Sequence, residues 1–388
     1  MTAHSGRVGV VLLGGAHGSL AVARSLGRRG VPVTLFASSH SVAGFSRYVG
    51  TVVEWVGAAE PAPVERLVEE SRHRDYHGWL LLPGDDFGVQ LIAENHERLA
   101  SQFALPVLDW TSLAPLNDKS RLSNLAARAG LDTPRVYQPM SNPADLDYPV
   151  VIKPSFTKGT NALTRAKAWR CDNASLFKIK QAEAARLVGA NGFVVQQLIP
   201  GDGDVQYSYA AYWRNGQEQG HMTALRLRQY PLEFGVSPFV VQRDLPRAAD
   251  EARKLLAAVG YDGLVEVEFK LDRRDDRLKL IDVNTRVWAW IGLADSCGLD
   301  FIGQSYAAAT GEPLGPPRVG RKNRVAWRRH VPALLSLAQN VGRHQRPGLA
   351  GWQSVLAPAL GGVFAADDPL PGLCELPLKI WERLRPSR

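Results

Sequence analysis

The 388-residue chain has little cysteine. Cys171, Cys297 and Cys374 are scattered and odd in number, which excludes a disulfide framework and a zinc motif. A reducing cytoplasm is the expected compartment. No apolar run approaches the roughly 20 residues needed to span a bilayer. A charged-then-apolar signal segment is also lacking, because the stretch from Val8 to Leu13 is too short. Internal repeats and long low-complexity stretches are absent. The net charge is +8, with Arg318, Arg321, Lys322, Arg324, Arg328 and Arg329 forming a local cluster. No nucleic-acid-binding motif accompanies it, so nucleic acid is not the expected partner, which leaves an anionic membrane and an anionic substrate as the readings of the charge. What is present is ordinary for a soluble globular protein of two or three domains: 45% hydrophobic and 22% charged residues.

The chain opens as a βαβ unit. Val8 to Leu13 reads as a buried strand, Gly14-Gly15-Ala16-His17-Gly18 as a turn, Ser19 to Arg29 as a helix and Val31 to Ala37 as a second strand. The glycine spacing is not GxGxxG, and Ala37-Ser38-Ser39 supplies no acid after the second strand. A tight strand-to-helix turn is therefore expected rather than a dinucleotide site. Trp79 to Pro83 reads as another strand, followed by Gly84-Asp85-Asp86 and a helical pattern from Val89 to Leu99. Both acids stand where open α/β sheets bind ligands, but capping of the next helix is the expected role.

The stretch from Gly263 to Trp290 carries the chemistry. Residues 264–271 and 278–283 alternate in polarity around the polar turn Arg273-Arg274-Asp275-Asp276-Arg277, the pattern of a β-hairpin. Folded symmetrically about Asp275, it sets Glu268 opposite Asp282. Val267, Phe269, Ile281 and Val283 then share the core face. The other face collects Glu268, Asp282 and Asn284, with Arg286 just beyond. Facing carboxylates repel unless a cation lies between them. Two carboxylates and an amide oxygen make a hard donor set that suits Mg²⁺ or Mn²⁺. Arg286 is placed for phosphate oxygens.

Glu268-Phe269 followed by Leu280-Ile281-Asp282-Val283-Asn284-Thr285-Arg286 resembles the metal-binding signature of the ATP-grasp superfamily. The resemblance extends from about Asn117 to Leu299. It implies two Mg²⁺ held by Glu268, Asp282 and Asn284 against ATP phosphates, with Asp282 standing where Glu is commoner. It matches Lys119, at the start of a helix running to Ala129, and Lys153, at the end of the strand Tyr148 to Lys153, to the family's two phosphate-contacting lysines. Ser155 to Asn161, with Ser155 and Gly159 among its donors, corresponds to the loop that closes over the phosphates. Gln197, Leu198 and Ile199 fall on the segment that holds adenine, although Gln197 stands where the family usually has Glu. Asp204 is either a ribose ligand or an exposed turn acid. Arg226 and Arg228, on one face of a strand, either grip a carboxylate or the transferring phosphate, or are solvated.

The fold class implied is α/β, with α+β character in the ATP-grasp lobes. A Rossmann-like domain over 1–115 precedes a small lobe with its linking helix over 116–190, a large lobe with the metal site over 191–315 and an extension over 316–388. The family resemblance implies a carboxylate–amine ligase that uses ATP and two Mg²⁺, forms an acyl-phosphate, and is completed by Arg286 at the transferring phosphoryl group. The partners implied are a small-molecule carboxylate and an amine. The base that deprotonates the amine is not identified, and His221 is the residue considered. A carboxylase acting on bicarbonate is the alternative, although this sequence has no biotin-attachment Met-Lys; a non-catalytic nucleotide-binding protein is another. The extension could supply a substrate wall or a homodimer contact. Its last amphipathic segment, Leu376 to Leu384, could touch an anionic membrane peripherally, but a packing helix is the expectation.

Overall fold

Strand β1 (Val10–Leu13) is apolar at every position and buried on both faces, as the middle of a parallel sheet requires. Helix α1 (His17–Gly27) follows, then β2 (Val33–Ala37), β3 (Thr51–Glu54), α2 (Pro63–Arg74), β4 (Trp79–Pro83), α3 (Asp86–Glu94), α4 (His96–Ala100) and β5 (Phe103–Ala104). All pairings are parallel in the order β3-β2-β1-β4-β5. The order reverses between β1 and β4, so the carboxyl ends of these strands flank a crevice. The glycine-rich turn lets other segments close on it. A Cβ at Gly15 would lie 2.2 Å from the Ser41 Cβ, and one at Gly18 would lie 2.9 Å from the Trp288 carbonyl oxygen. These coordinates are a computed structural model, which describes residues 7–384 apart from 39, 156–160, 202, 323 and 343–348.

Helices α5 (Trp110–Asn117) and α6 (Lys119–Arg128) lead into a second sheet. Asp118 caps α6, accepting from the Ser120 N–H at 2.8 Å, and Gly130 at φ 75° turns the chain beyond it. Strands β6 (Val136–Tyr137), β7 (Val150–Pro154), β8 (Trp169–Cys171) and β9 (Phe193–Gln197) pair antiparallel as β6-β9-β7-β8, with α7 (Ala162–Ala166) and α8 (Ala174–Val188) between them in sequence. Phe177 and Ala184 of α8 pack on Val150, Ile152, Phe193 and Val195. The expected boundary at residue 190 therefore falls inside this sheet's chain segment, and β9 belongs to the small lobe.

The large sheet begins with β10 (Gln206–Arg214), β11 (Gln217–Tyr230) and β12 (Val236–Gln242), then after α9 (Pro246–Ala257) adds β13 (Gly263–Asp272) and β14 (Arg277–Asn284). Helices α10 (Leu293–Ser296) and α11 (Phe301–Thr310) close this part. The extension contributes β15 (Arg318–Val319), β16 (Ala326–Arg328), α12 (His330–Gly342), α13 (Leu349–Leu356), β17 (Leu360–Gly361) and α14 (Leu370–Leu384). The strand order is β14-β13-β10-β11-β12-β16-β17, with β15 beside β11. Residues beyond 316 thus continue the large sheet. One sheet face packs Tyr209, Val265, Val267 and Phe269 with Leu255 and Leu113 from α9 and α5; the other packs Ala210, Tyr212 and Met222 with Trp288, Phe301 and Leu20.

The extension then returns to the first domain. The Asp368 carboxylate accepts from Arg24 Nε at 2.9 Å, Ser46 Oγ at 2.7 Å and the Arg47 N–H at 2.9 Å. Arg24 Nη2 also donates to the carbonyls of Val363 and Asp368 at 2.7 and 2.9 Å. Helix α14 starts at Leu370, earlier than the amphipathic pattern suggests, because Pro371 is tolerated in its first turn. No helix among the described residues is long and apolar enough to cross a membrane.

Candidate active site

The hairpin forms with Glu268 directly opposite Asp282 and Glu266 opposite Asn284. A register shift after Glu268 sets Phe269 opposite Leu280. Leu280 therefore enters the core, and Ile281, expected there, is turned out of it and only half-buried. The polar face is tightly cross-linked. Asn284 Nδ2 donates to Glu268 Oε1 at 2.9 Å and Glu266 Oε2 at 3.3 Å. Ser208 Oγ on β10 donates to Glu266 Oε1 at 2.9 Å. Arg226 on β11 ion-pairs with Glu268 and donates to Ser237 Oγ at 2.8 Å. Arg226 thus reaches the acidic face. Arg228 is diverted by the irregularities in β11 and donates to Asn340 of α12.

Two elements outside the large sheet complete the cluster. Lys119, at the first position of α6, places Nζ 3.0 Å from Asp282 Oδ1. Burial works against its charge, but Asp282 and Asp86 hold its pKa above the usual lysine range. Lys153, at the end of β7, also feels Asp282 and Glu268; burial, reinforced by Lys119, brings it down to about 8. Arg286 follows β14 and donates from Nε to Asp86 Oδ1 at 2.6 Å and from Nη2 to Asn284 Oδ1 at 3.1 Å. Burial opposes its charge, and Asp86 more than restores it. The pair joins the crevice of the first domain to the large sheet.

The capping expectation holds for Asp85, which accepts from the Gly88 N–H at 2.7 Å, but Asp86 instead engages Arg286. Glu266 was also not singled out by the sequence, although its place two residues before Glu268 put it on the same face. Burial and the Glu268 charge push its carboxyl up to about 7.

The nucleotide-binding expectations map unevenly. Ser155 is buried, with its N–H on the Gly192 carbonyl and its own carbonyl receiving the Lys119 N–H at 3.3 Å. Gly159 lies outside the described residues. Gln197 ends β9 half-buried. The Leu198 N–H is committed to the Pro149 carbonyl at 3.1 Å, and Ile199 is buried. Asp204 is paired with Arg273 at 2.5 Å. His221 lies on the opposite sheet face, held by Glu218 at 2.7 Å and by Arg253 of α9. That location removes it as the base for a reaction at Glu268.

Among the described residues no three His, Cys, Asp or Glu side chains form a ready-made metal cluster. The opposed Glu268 and Asp282 carboxylates with the Asn284 amide are nevertheless a hard-oxygen set, charge-compensated here by Arg226 and Lys119. This chemistry fits a divalent cation such as Mg²⁺.

Residues 219–316 match the family model of the carbamoyl-phosphate synthase L chain, ATP binding domain. The mitochondrial propionyl-CoA carboxylase alpha chain of Caenorhabditis elegans is 26% identical over 178 residues, 44% of this chain and 24% of that protein. The chain therefore spans about a quarter of that relative's length. The biotin carboxylase domain of 2-oxoglutarate carboxylase from Hydrogenobacter thermophilus, solved with MgADP, ADP and bicarbonate, superposes with a TM-score of 0.63 at 17% identity over 81% of this chain and 72% of that one. The L-amino acid ligase of Bacillus licheniformis gives a TM-score of 0.60 at 18% identity, covering 80% and 78%. Strand order, hairpin and structural neighbours agree that this chain has the ATP-grasp fold behind a Rossmann-like domain.

Proposed function

We propose that the chain is an ATP- and Mg²⁺-dependent ligase that activates a carboxylate as an acyl-phosphate and couples it to an amine. The observation that carries this reading is the convergence of Glu268, Asp282, Asn284 and Arg286 with Lys119, which bonds Asp282 from α6, while Lys153 of the small lobe feels the charge of the same carboxylates. Glu268, Asp282 and Asn284 would hold Mg²⁺, which would draw charge from the phosphates of bound ATP. Lys119 exchanges part of its pairing with Asp282 for phosphate oxygens, and Lys153 adds a second positive charge beside them. Gln197, Leu198 and Ile199 edge the adenine, Ser155 faces the phosphates, and Asp204 reaches ribose only by releasing Arg273.

A substrate carboxylate oxygen attacks the γ-phosphorus. The bond to the β,γ-bridging oxygen breaks and its electron pair leaves with ADP. Arg286, oriented by Asp86 and Asn284, stabilises charge on the transferring group. Arg226 is placed to orient the substrate carboxylate; Arg228, held by Asn340, stands farther along the same strand. A neutral amine then attacks the acyl carbon, phosphate departs with the C–O electron pair, and the amine proton is lost to form the amide.

The bicarbonate reading has its own support in the carboxylase relative and the bicarbonate-bound structural neighbour. It shares the first step, with bicarbonate as the attacking carboxylate. The test is ADP release with MgATP against pooled carboxylic acids and amines, against each pool alone, and against bicarbonate. Release that requires an acid and an amine together, and is lost in Glu268→Gln, supports the ligase. Bicarbonate alone sufficing replaces it with the carboxylase. Undetectable MgATP binding by calorimetry refutes both.

A further inference from the structure

We propose that the outer faces of α13 and α14 dock on the surface of an anionic lipid bilayer. Residues 316–388 hold 12 Lys and Arg against 4 Asp and Glu, a net +8 that equals the charge of the entire chain. The preceding 315 residues are therefore neutral. Exposed apolar surface is concentrated in the same region. Among the described residues, those up to 315 expose six large apolar side chains and those beyond expose eleven.

On α14, Leu370, Leu373, Leu376 and Ile380 are 54%, 62%, 48% and 50% exposed. Their spacing of three and four residues places them along one side of the helix. The opposite side carries Pro371 and Glu375, both buried. Glu375 is fixed by Arg329 Nη2 at 2.9 Å, with His17 Nε2 at 3.4 Å. The helix is therefore already anchored by one side and still presents leucines to water on the other. On α13, Trp352 and Leu356 are four residues apart and 50% and 73% exposed.

Isolated apolar residues on a surface are normal, but an apolar helix face within a strongly basic segment is the composition of an interfacial element. A helix of 15 residues is roughly 22 Å long, so it lies in the membrane plane rather than spanning it. A second copy of this chain is the poorer occupant, because both copies would bring the same net +8 over residues 316–388. Anionic headgroups complement that net charge.

The test is flotation of the full chain with phosphatidylcholine vesicles, with or without phosphatidylglycerol, at low and high salt. Binding is expected only with phosphatidylglycerol and should weaken as salt rises. The double variant Leu373→Glu/Ile380→Glu should bind at least ~30-fold more weakly, since each inserted Leu or Ile side chain contributes about tenfold. Its circular dichroism and melting should match wild type. Absence of wild-type binding to anionic vesicles overturns the proposal, whatever the variant does. Binding that is indifferent to lipid charge also overturns it. So does a wild-type dimer, by light scattering, that the double variant converts to a monomer, because the face then belongs to a second copy.

Discussion

Replacing Asp368 by Asn tests how strongly the extension is fastened to the first domain. The Asp368 side chain is 1% exposed and that of its partner Arg24 is 8% exposed. Asn keeps the shape but only one acceptor oxygen, so it can serve the Arg47 N–H or Ser46 but not both, and it leaves a buried guanidinium uncompensated. Breaking a buried pair by removing one charge costs about 3–5 kcal/mol. With an m-value near 3 kcal/mol/M, the urea midpoint should fall by roughly 1 M or more. Adding Arg24→Met removes the stranded charge. The double variant should therefore recover about 1–2 kcal/mol, although the Val363 and Asp368 carbonyls lose their donor. The Arg28–Asp367 pair is an internal control. At 2.8 Å it is equally short, but both side chains are nearly half exposed, so Asp367→Asn should shift the midpoint little. The reasoning fails if Asp368→Asn costs under about 1 kcal/mol or if Arg24→Met deepens the loss.

Neighbouring acids should behave differently. Asp86→Asn loosens Arg286 and should lower kcat about tenfold or more with little change in the KM for ATP, whereas Asp85→Ala removes a helix cap, costs about 1 kcal/mol of stability and spares kcat. Equal effects on kcat would remove the positioning role assigned to Asp86. With the Lys153 pKa lowered from 10.5 to about 8, its positive charge is present below that value and is lost as pH rises through it. MgATP affinity should weaken above about pH 8, and Lys153→Arg should flatten that profile because guanidinium stays charged. A calorimetric Kd that does not change across this range would show that Lys153 does not bear on the phosphates.

Local pattern made the centre of the site legible. Polarity alternating on both sides of the Asp275 turn is enough to put Glu268 across from Asp282, because register follows from a symmetric turn and one buried face. It was not enough for Ile281, since a bulge leaves no mark in a period-two pattern. Contacts between distant segments were hidden for a different reason. Asp86 meets Arg286 across 200 residues, and Asp85 and Asp86 look alike until that partner is known. The family resemblance assigns Asp204 and Leu198 to the nucleotide, yet Arg273 and Pro149 already hold their polar groups. The extension's short strands have too few residues for alternation to register; pairing with β11 and β12 is what defines β15 and β16.

The return of the extension to the first domain has a mechanical consequence. Backbone pairing fastens it to the large sheet at one end, and Asp368 fastens it to α1 and the loop after β2 at the other. The first domain, the large sheet and the extension therefore form a closed frame, braced again by Asp86 and Arg286. The small-lobe sheet, β6 to β9, is joined to that frame at both ends of its chain segment, with Lys153 at the end of β7. The small lobe is the one layer that this frame leaves outside its closed circuit of contacts.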